Sequence, residues 1–503
     1  MTNQSYPEML TISTDQILSP SQLKKNSFWG VSRSIILILL FGVSYPLYLR
    51  YLGLEVYGIW VMFMALVTSL QLTSLNLPQA AAKFISESLV RKDAADLYRY
   101  TSTLIGAISG IGVVIMVVTF LGRSAIAGFL YAPETLRPQI PYLLMLTAAL
   151  TFQALAAETL GGIVSGVGRM DQVFQADILC RVLGFLLILW LLHRDYHLLA
   201  LFYGNIAGYL VNVVLILGFI KRNFGVLPLR WRYLSWQKLR RIVRFTGPLF
   251  GGSLLSGLLP AFNRLLLGTM ISPAAASIYD IADKGAQVIR STAETGIRPL
   301  VVQVSGLAAL RDDGRIRLLS LKCVRTILLW ISPLFIFSYL SAGYVIPFWL
   351  KVKEAGQIGG NFNILLFGYF ANLILIPIFY GFMGSGRVNH CFRAQLVHCI
   401  VNVVVAIIGI LLIRQIWVIS LAFTAGLTVS CLDILINFSH NRLDFMQLMA
   451  KGIKTLAIPC LFFLPLLFIQ HHFYLFLLLT VVAILSYTFL LIKVKGIKGL
   501  SSI

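Results

Sequence analysis

A set of charged residues lies inside stretches that are otherwise apolar: Arg33, Glu158, Asp177, Arg181, Arg264, Asp280, Asp283, Lys284, Arg290, Glu294, Arg298 and Asp433. A charge at the centre of a bilayer costs about 2.5–3.5 kcal/mol on insertion scales, so each needs a partner or a task. Two chemistries are open to them. A guanidinium offers paired donors that match phosphate oxygens, and it stays charged when partly dehydrated. A buried carboxylate beside an arginine can titrate near neutral pH, which suits proton or sodium coupling. Glu294, Asp283, Asp280 and Glu158 are the coupling candidates on this ground. The densest group is Tyr279 to Pro299, YDIADKGAQVIRSTAETGIRP. There Asp283, Gln287, Arg290, Glu294 and Arg298 recur every three or four positions, which puts all five on one helix face.

These residues must be held by membrane-spanning helices. The chain has 503 residues, 58% hydrophobic and 12% charged, where a soluble protein carries about 25% charged residues. Apolar runs predict fourteen spans, near 28–49, 57–80, 100–122, 140–166, 175–193, 198–220, 246–269, 275–300, 324–345, 361–383, 391–413, 416–438, 453–470 and 473–492. The fold class is therefore all-α and polytopic. The polar first 27 residues hold no cleavable signal, so the first span is expected to act as an uncleaved anchor.

The net charge of +22 raises nucleic acid as a partner. Position argues against it. Basic residues gather in alternate loops, at 83–99, 221–244 and 309–325 and in the tail, while the opposite side holds only Arg50, Arg123, Arg137, Arg194, Lys351, Lys353 and Arg414. That is the positive-inside bias, and it places both termini in the cytoplasm. The basic, aromatic linker 221–245 is expected to lie on anionic lipid.

Metal and cofactor chemistry is not expected. Six cysteines form no CxxC, and the pairs His390-Cys391 and His398-Cys399 stand about two helical turns apart, roughly 11–12 Å. The loops hold no P-loop and no GxGxxG unit, so no catalytic residue is assigned.

A repeat of about 220 residues is visible. Tyr57-Gly-Ile-Trp opens span 2, with Pro78 near its inner end and RKDAADLYRY after it; Tyr279-Asp-Ile-Ala opens span 8, with Pro299 and then RDDGRIRLLS. Residues 28–220 and 246–438 then form two six-helix bundles of like topology, related by a pseudo-two-fold axis along the membrane normal. Residues 439–503 add two helices and a short cytoplasmic tail, and 1–27 is a cytoplasmic tail.

The chain resembles the polysaccharide flippases, the O-antigen, capsule and exopolysaccharide exporters of the multidrug/oligosaccharidyl-lipid/polysaccharide exporter superfamily. The likeness rests on SFWGVSRSIILILL and YLGLEVYGIWVM near the N-terminus, LNLPQAAAKFISE in span 2, NRLLLGTMISPAAASIYDIADK at the junction of spans 7 and 8, and IRPLVVQVSGLAALRDD at the end of span 8. One departure is Asn263, where an aspartate is expected before Arg264.

The resemblance implies a flippase of the bacterial cytoplasmic (inner) membrane. It would translocate a polyprenyl-pyrophosphate-linked oligosaccharide for surface polysaccharide (lipopolysaccharide or exopolysaccharide) biosynthesis by alternating access. Membrane lipids, a polysaccharide polymerase and a chain-length regulator are the implied partners, and no covalent chemistry is required. Arg290, Arg33, Arg298 and Arg181 become candidates for the pyrophosphate. Bland roles stand beside these: ion pairs of Arg290 with Glu294 or Asp283 and of Arg181 with Asp177, snorkelling of Arg33, a lipid phosphate for Arg298 and an outer interfacial place for Arg264. Two other functions compete. A multidrug/cation antiporter wants an acid in span 1, where this chain has Arg33; a membrane polymerase wants a substantial outer loop, and those here are short.

Overall fold

The computed structural model describes residues 20–74, 76–91, 93–129, 134, 136–224, 233–295, 313–439 and 442–463, with positions 479, 482, 483, 486 and 487. Among them every regular element is helical. Packing divides the chain into an N-terminal unit, Met1–Ser277, and a C-terminal unit, Ile278–Ile503. Nine of the described helical segments are long and apolar enough to cross a membrane. As far as the described residues reach, the first twelve expected spans and the first part of the thirteenth fall on helices; the last five positions of the eighth, 296–300, lie outside them. The fourteenth lies outside the described residues apart from the few helical positions between 479 and 487.

The N-terminal unit contains α1 (Pro20–Gln71), α2 (Leu77–Val90), α3 (Ala94–Phe129), α4 (Ile140–Gly166), α5 (Met170–His193), α6 (His197–Phe224) and α7 (Trp236–Met270). Helix α1 is two helices joined at Gly53, whose φ of 71° only glycine adopts freely. Span 2 is not the single helix expected over 57–80. It runs to Gln71, tightens to a 3-10 turn at Leu72–Ser74, reverses at Asn76 (φ 58°) and restarts as α2. Asparagine tolerates the left-handed conformation, and Pro78 in the first turn of α2 loses no hydrogen bond, because that turn has none to make. The expected loop at 83–99 is mostly helix as well. α2 runs to Val90 and α3 starts at Ala94, capped by Asp93, whose carboxylate accepts from the Asp96 N–H at 2.9 Å.

Helices α2 and α4 pack side by side in parallel. Gly162 lies on the backbone of Pro78 and Gly166 on Ala82; a Cβ at Gly166 would stand 2.8 Å from the Ala82 carbonyl, and one at Gly162 would overlap Pro78. Small residues four apart allow such an approach within a membrane. Gly162→Val is expected to force the helices apart at about 1–3 kcal/mol. A thermal melt in detergent should show the loss, and an unchanged melting temperature would contradict the contact.

The C-terminal unit takes most of α8 (Pro273–Thr295), then α9 (Asp313–Thr326), α10 (Ser332–Leu350), α11 (Ala355–Gly384), α12 (Val388–Ile413), α13 (Ile416–Phe438) and α14 (Arg442–Phe463). A π-helical turn, Ile327–Ile331, links α9 to α10 just before Pro333. Proline offers no N–H to the Leu329 carbonyl four residues back, and the Tyr487 hydroxyl donates to that carbonyl at 2.7 Å. Tyr487 also packs with Phe463 and Leu340.

The two units share a local signature. After α4, Gly168 has φ 81° and the Arg169 N–H donates to the Val164 carbonyl at 3.3 Å. After α11, about one repeat length on, Gly386 has φ 78° and the Arg387 N–H donates to the Phe382 carbonyl at 2.9 Å. Both are six-to-one helix stops that need a left-handed residue.

Candidate functional site

Each unit holds its own polar cluster inside its helices. In the N-terminal unit the cluster is set by a tie between α1 and α5. The Gln22 amide donates to Asp171 Oδ1 at 2.8 Å, Asn26 Nδ2 donates to the Gly168 carbonyl at 2.9 Å, and the Asp171 N–H donates to Asn26 Oδ1 at 2.9 Å. This fixes the register at one end of the helix pair. About two turns further along each helix, Arg33 meets Asp177.

Asp177 is the centre of the arrangement. Arg33 Nε donates to its Oδ2 at 2.5 Å, and Arg181 Nε donates to its Oδ1 at 3.0 Å. The carboxylate is only 16% exposed, against 33% and 42% for the two arginine side chains. Both guanidiniums are thus held by their Nε edges. Among the described residues no hydrogen bond reaches the terminal Nη groups of either. Arg33 further leans on the Phe174 ring, 5.9 Å from its centroid.

These residues line a cavity of about 550 Å³ together with Glu158, Tyr209, Asn76 and Gln79. The helix break at Leu72–Asn76 matters here, since Ser74 and Asn76 at the break both line the cavity. Glu158 is exposed, and it makes no hydrogen bond or ion pair among the described residues. Arg181 and Asp177 are the charges that act on it.

In the C-terminal unit the stripe on α8 faces α11. The Tyr369 hydroxyl donates to Asp283 Oδ1 at 2.6 Å, and the Tyr380 hydroxyl donates to Glu294 Oε1 at 2.7 Å. Between them, Arg290 donates from Nε to Asn372 Oδ1 at 3.1 Å, pairs through an Nη with Glu294 Oε2 at 3.3 Å and lies 5.8 Å from the Tyr369 ring centroid. The two tyrosine ties join residues 86 positions apart, so the two helices run parallel. Gln287, expected on the same face, is exposed, and Arg298 lies outside the described residues. Asp280 and Asp283 are buried, at 5% and 2% exposure.

The structure therefore brings Arg33, Arg181 and Glu158 together in one cavity, and joins Arg290, Glu294 and Asp283 to α11 within the C-terminal unit. Of the ion pairs weighed from helical spacing, Arg181 with Asp177 and Arg290 with Glu294 are present. Arg264 is corrected: it is buried, at 6% exposure, not interfacial, and it has interaction partners. Asp433 pairs with Arg393 across α12 and α13. His390 packs on Phe382 and His398 on Phe423, so the two His-Cys pairs belong to aromatic packing. Among the described residues no group of three or more metal-ligating side chains assembles.

Sequence reasoning missed Tyr369, Asn372 and Tyr380. Their signal was present, because steps of three and eight along an apolar helix place all three on one face.

The profile of a family described as "Polysaccharide biosynthesis protein" matches residues 49–353, well over half of the chain. The chain belongs to that family. The resemblance read from the sequence is thereby borne out. No curated protein matches the sequence. Solved structures of similar fold include the following three. A lipid II flippase, MurJ, in an inward closed conformation has a TM-score of 0.68 at 13% identity, covering 93% of this chain and 98% of that one. An inward-facing multidrug resistance MATE family transporter of the MOP superfamily has 0.66 at 14%, covering 83% and 94%. The Vibrio cholerae MATE transporter VcmN has 0.61 at 15%, covering 83% and 95%. The fold is thus one seen in multi-pass membrane transporters, and nine of the described helical segments are long and apolar enough for a multi-pass membrane protein.

Proposed function

We propose that this chain is a flippase that carries a polyprenyl-pyrophosphate-linked oligosaccharide across the bacterial cytoplasmic membrane for surface polysaccharide biosynthesis. The observation that carries the reading is the pair Arg33 and Arg181, held by Nε on one carboxylate with their Nη donors open to a cavity inside a membrane-spanning unit. A partly dehydrated pyrophosphate needs such fixed, permanently charged donors, because desolvation of the anion must be offset inside the bilayer. The membership in a polysaccharide biosynthesis family and the shared fold with a lipid II flippase agree with it.

The transport step requires no bond to form or break. The head group enters the polar interior while its isoprenoid chain remains in the hydrocarbon. Alternating access then exposes the head on the other side. Arg290 on α8 is the C-terminal unit's candidate for a substrate contact, and a polymerase and a chain-length regulator are the partners expected to take up the product.

The decisive experiment is reconstitution into liposomes with a fluorescent polyprenyl-pyrophosphoryl oligosaccharide. The protein should speed its appearance in the opposite leaflet, and the Arg33→Ala, Arg181→Ala chain should fall to the rate of empty liposomes. Uptake of cationic dyes with no flipping of the lipid would transfer the protein to the multidrug antiporter reading.

A further inference from the structure

The cavity of the N-terminal unit holds a contradiction if its ligand is a bare phosphate. Arg33 and Arg181 offer unfilled donors, yet Glu158 opens into the same space and has no hydrogen bond or ion pair among the described residues. An ionised carboxylate there repels the anion that the arginines attract. The two demands are reconciled by a ligand that carries hydroxyl donors beside its phosphate. Vicinal hydroxyls satisfy both oxygens of a carboxylate, and other cavity groups, the Tyr209 hydroxyl and the Gln79 amide among them, can donate to or accept from a sugar. The volume of about 550 Å³ is that of a small-ligand site.

We propose that this cavity seats the glycosyl phosphate portion of the substrate, with Arg33 and Arg181 on the phosphate and Glu158 on hydroxyls of the adjoining sugar. The inference rests on the anion-binding reading given above and adds to it a selecting residue. Glu158 works by penalty as much as by contact: phosphates without hydroxyls, which abound in lipid head groups and in the cytoplasm, leave it unpaired and repelled. The other carboxylates on the polar faces do not have this freedom, since Asp283 accepts from Tyr369 and Glu294 from Tyr380 and Arg290.

The test uses the full-length chain in phosphatidylcholine nanodiscs, with methyl phosphate and the 1-phosphates of glucose, galactose and mannose as probes in saturation-transfer NMR or calorimetry. Wild type should bind at least one hexose 1-phosphate about tenfold more tightly than methyl phosphate, the scale of one charge-assisted hydrogen-bonded contact. Glu158→Ala should erase that ratio and strengthen methyl phosphate binding, while Glu158→Gln should retain part of the preference. A thermal melt matching wild type would show that the variants are folded. The proposal is overturned if no hexose phosphate exceeds methyl phosphate in wild type, or if Glu158→Ala shifts all probes by one factor, which is the behaviour of a mere charge. A separate arm protects the distinction from the parent reading: Arg33→Ala with Arg181→Ala should lose every probe. Retained binding in that chain would show that the arginines are not the anion seat, and both readings would fall.

Discussion

Asp177→Ala should be the most damaging single change in the N-terminal cavity. It leaves Arg33 and Arg181 as two like charges with no shared counter-charge. Breaking a buried pair costs about 3–5 kcal/mol. The arginines here are a third or more exposed to the cavity, so about 2 kcal/mol is the scaled expectation. In a unit of this size that corresponds to roughly 4–8 °C in melting temperature. Flipping should be lost as well, because the guanidiniums would no longer be held edge-on. A double-mutant cycle checks the cause: Asp177→Ala combined with Arg181→Ala should be more stable than Asp177→Ala alone, since one stranded charge is then removed. Strict additivity of the two would show that Asp177 does not organise the pair.

Arg290→Ala is the second large effect, and its signature differs. Arg290 bridges Asn372 and Glu294 while its partner Glu294 keeps the Tyr380 hydroxyl. Glu294 therefore retains one hydrogen bond, so abundance should stay normal while flipping falls at least about tenfold, a barrier change of about 1.4 kcal/mol. Arg290→Lys separates charge from geometry. An ammonium cannot make the two-sided contact of a guanidinium, so the lysine chain should fold normally and still transport poorly. Full transport by Arg290→Ala would end its assignment to the substrate.

The helices were largely legible in the sequence because hydrocarbon imposes length and apolarity on every span. α4 and α13 run over Ile140–Gly166 and Ile416–Phe438, matching the expected spans 140–166 and 416–438. The break in span 2 was less legible. Nothing in the hydropathy of Leu72–Asn76 marks it; only Asn76 followed by Pro78 points to a restart, and those residues also suit a kink. Arg33, Arg181 and Glu158 could be listed as costly charges but not brought together, because their meeting depends on packing among α1, α4 and α5. Helical spacing did reveal the pairs within one helix, Arg181 with Asp177 and Arg290 with Glu294. It could not reveal that Arg33 joins the first pair from α1, or that Asn372 joins the second from α11.

The ties between α8 and α11 have a mechanical consequence. Asp283 to Tyr369, Arg290 to Asn372 and Glu294 to Tyr380 fasten the two helices over eleven residues, about 16 Å of axis. Sliding one helix past the other by a single turn, about 5.4 Å, would unfasten all three at once and leave two carboxylates without their tyrosines. A stroke that moves α8 and α11 together keeps all three ties, whereas one that slides them apart breaks them. Whatever bending transport requires has to be found elsewhere, at places such as the π-helical turn before Pro333, where the backbone ladder is already interrupted.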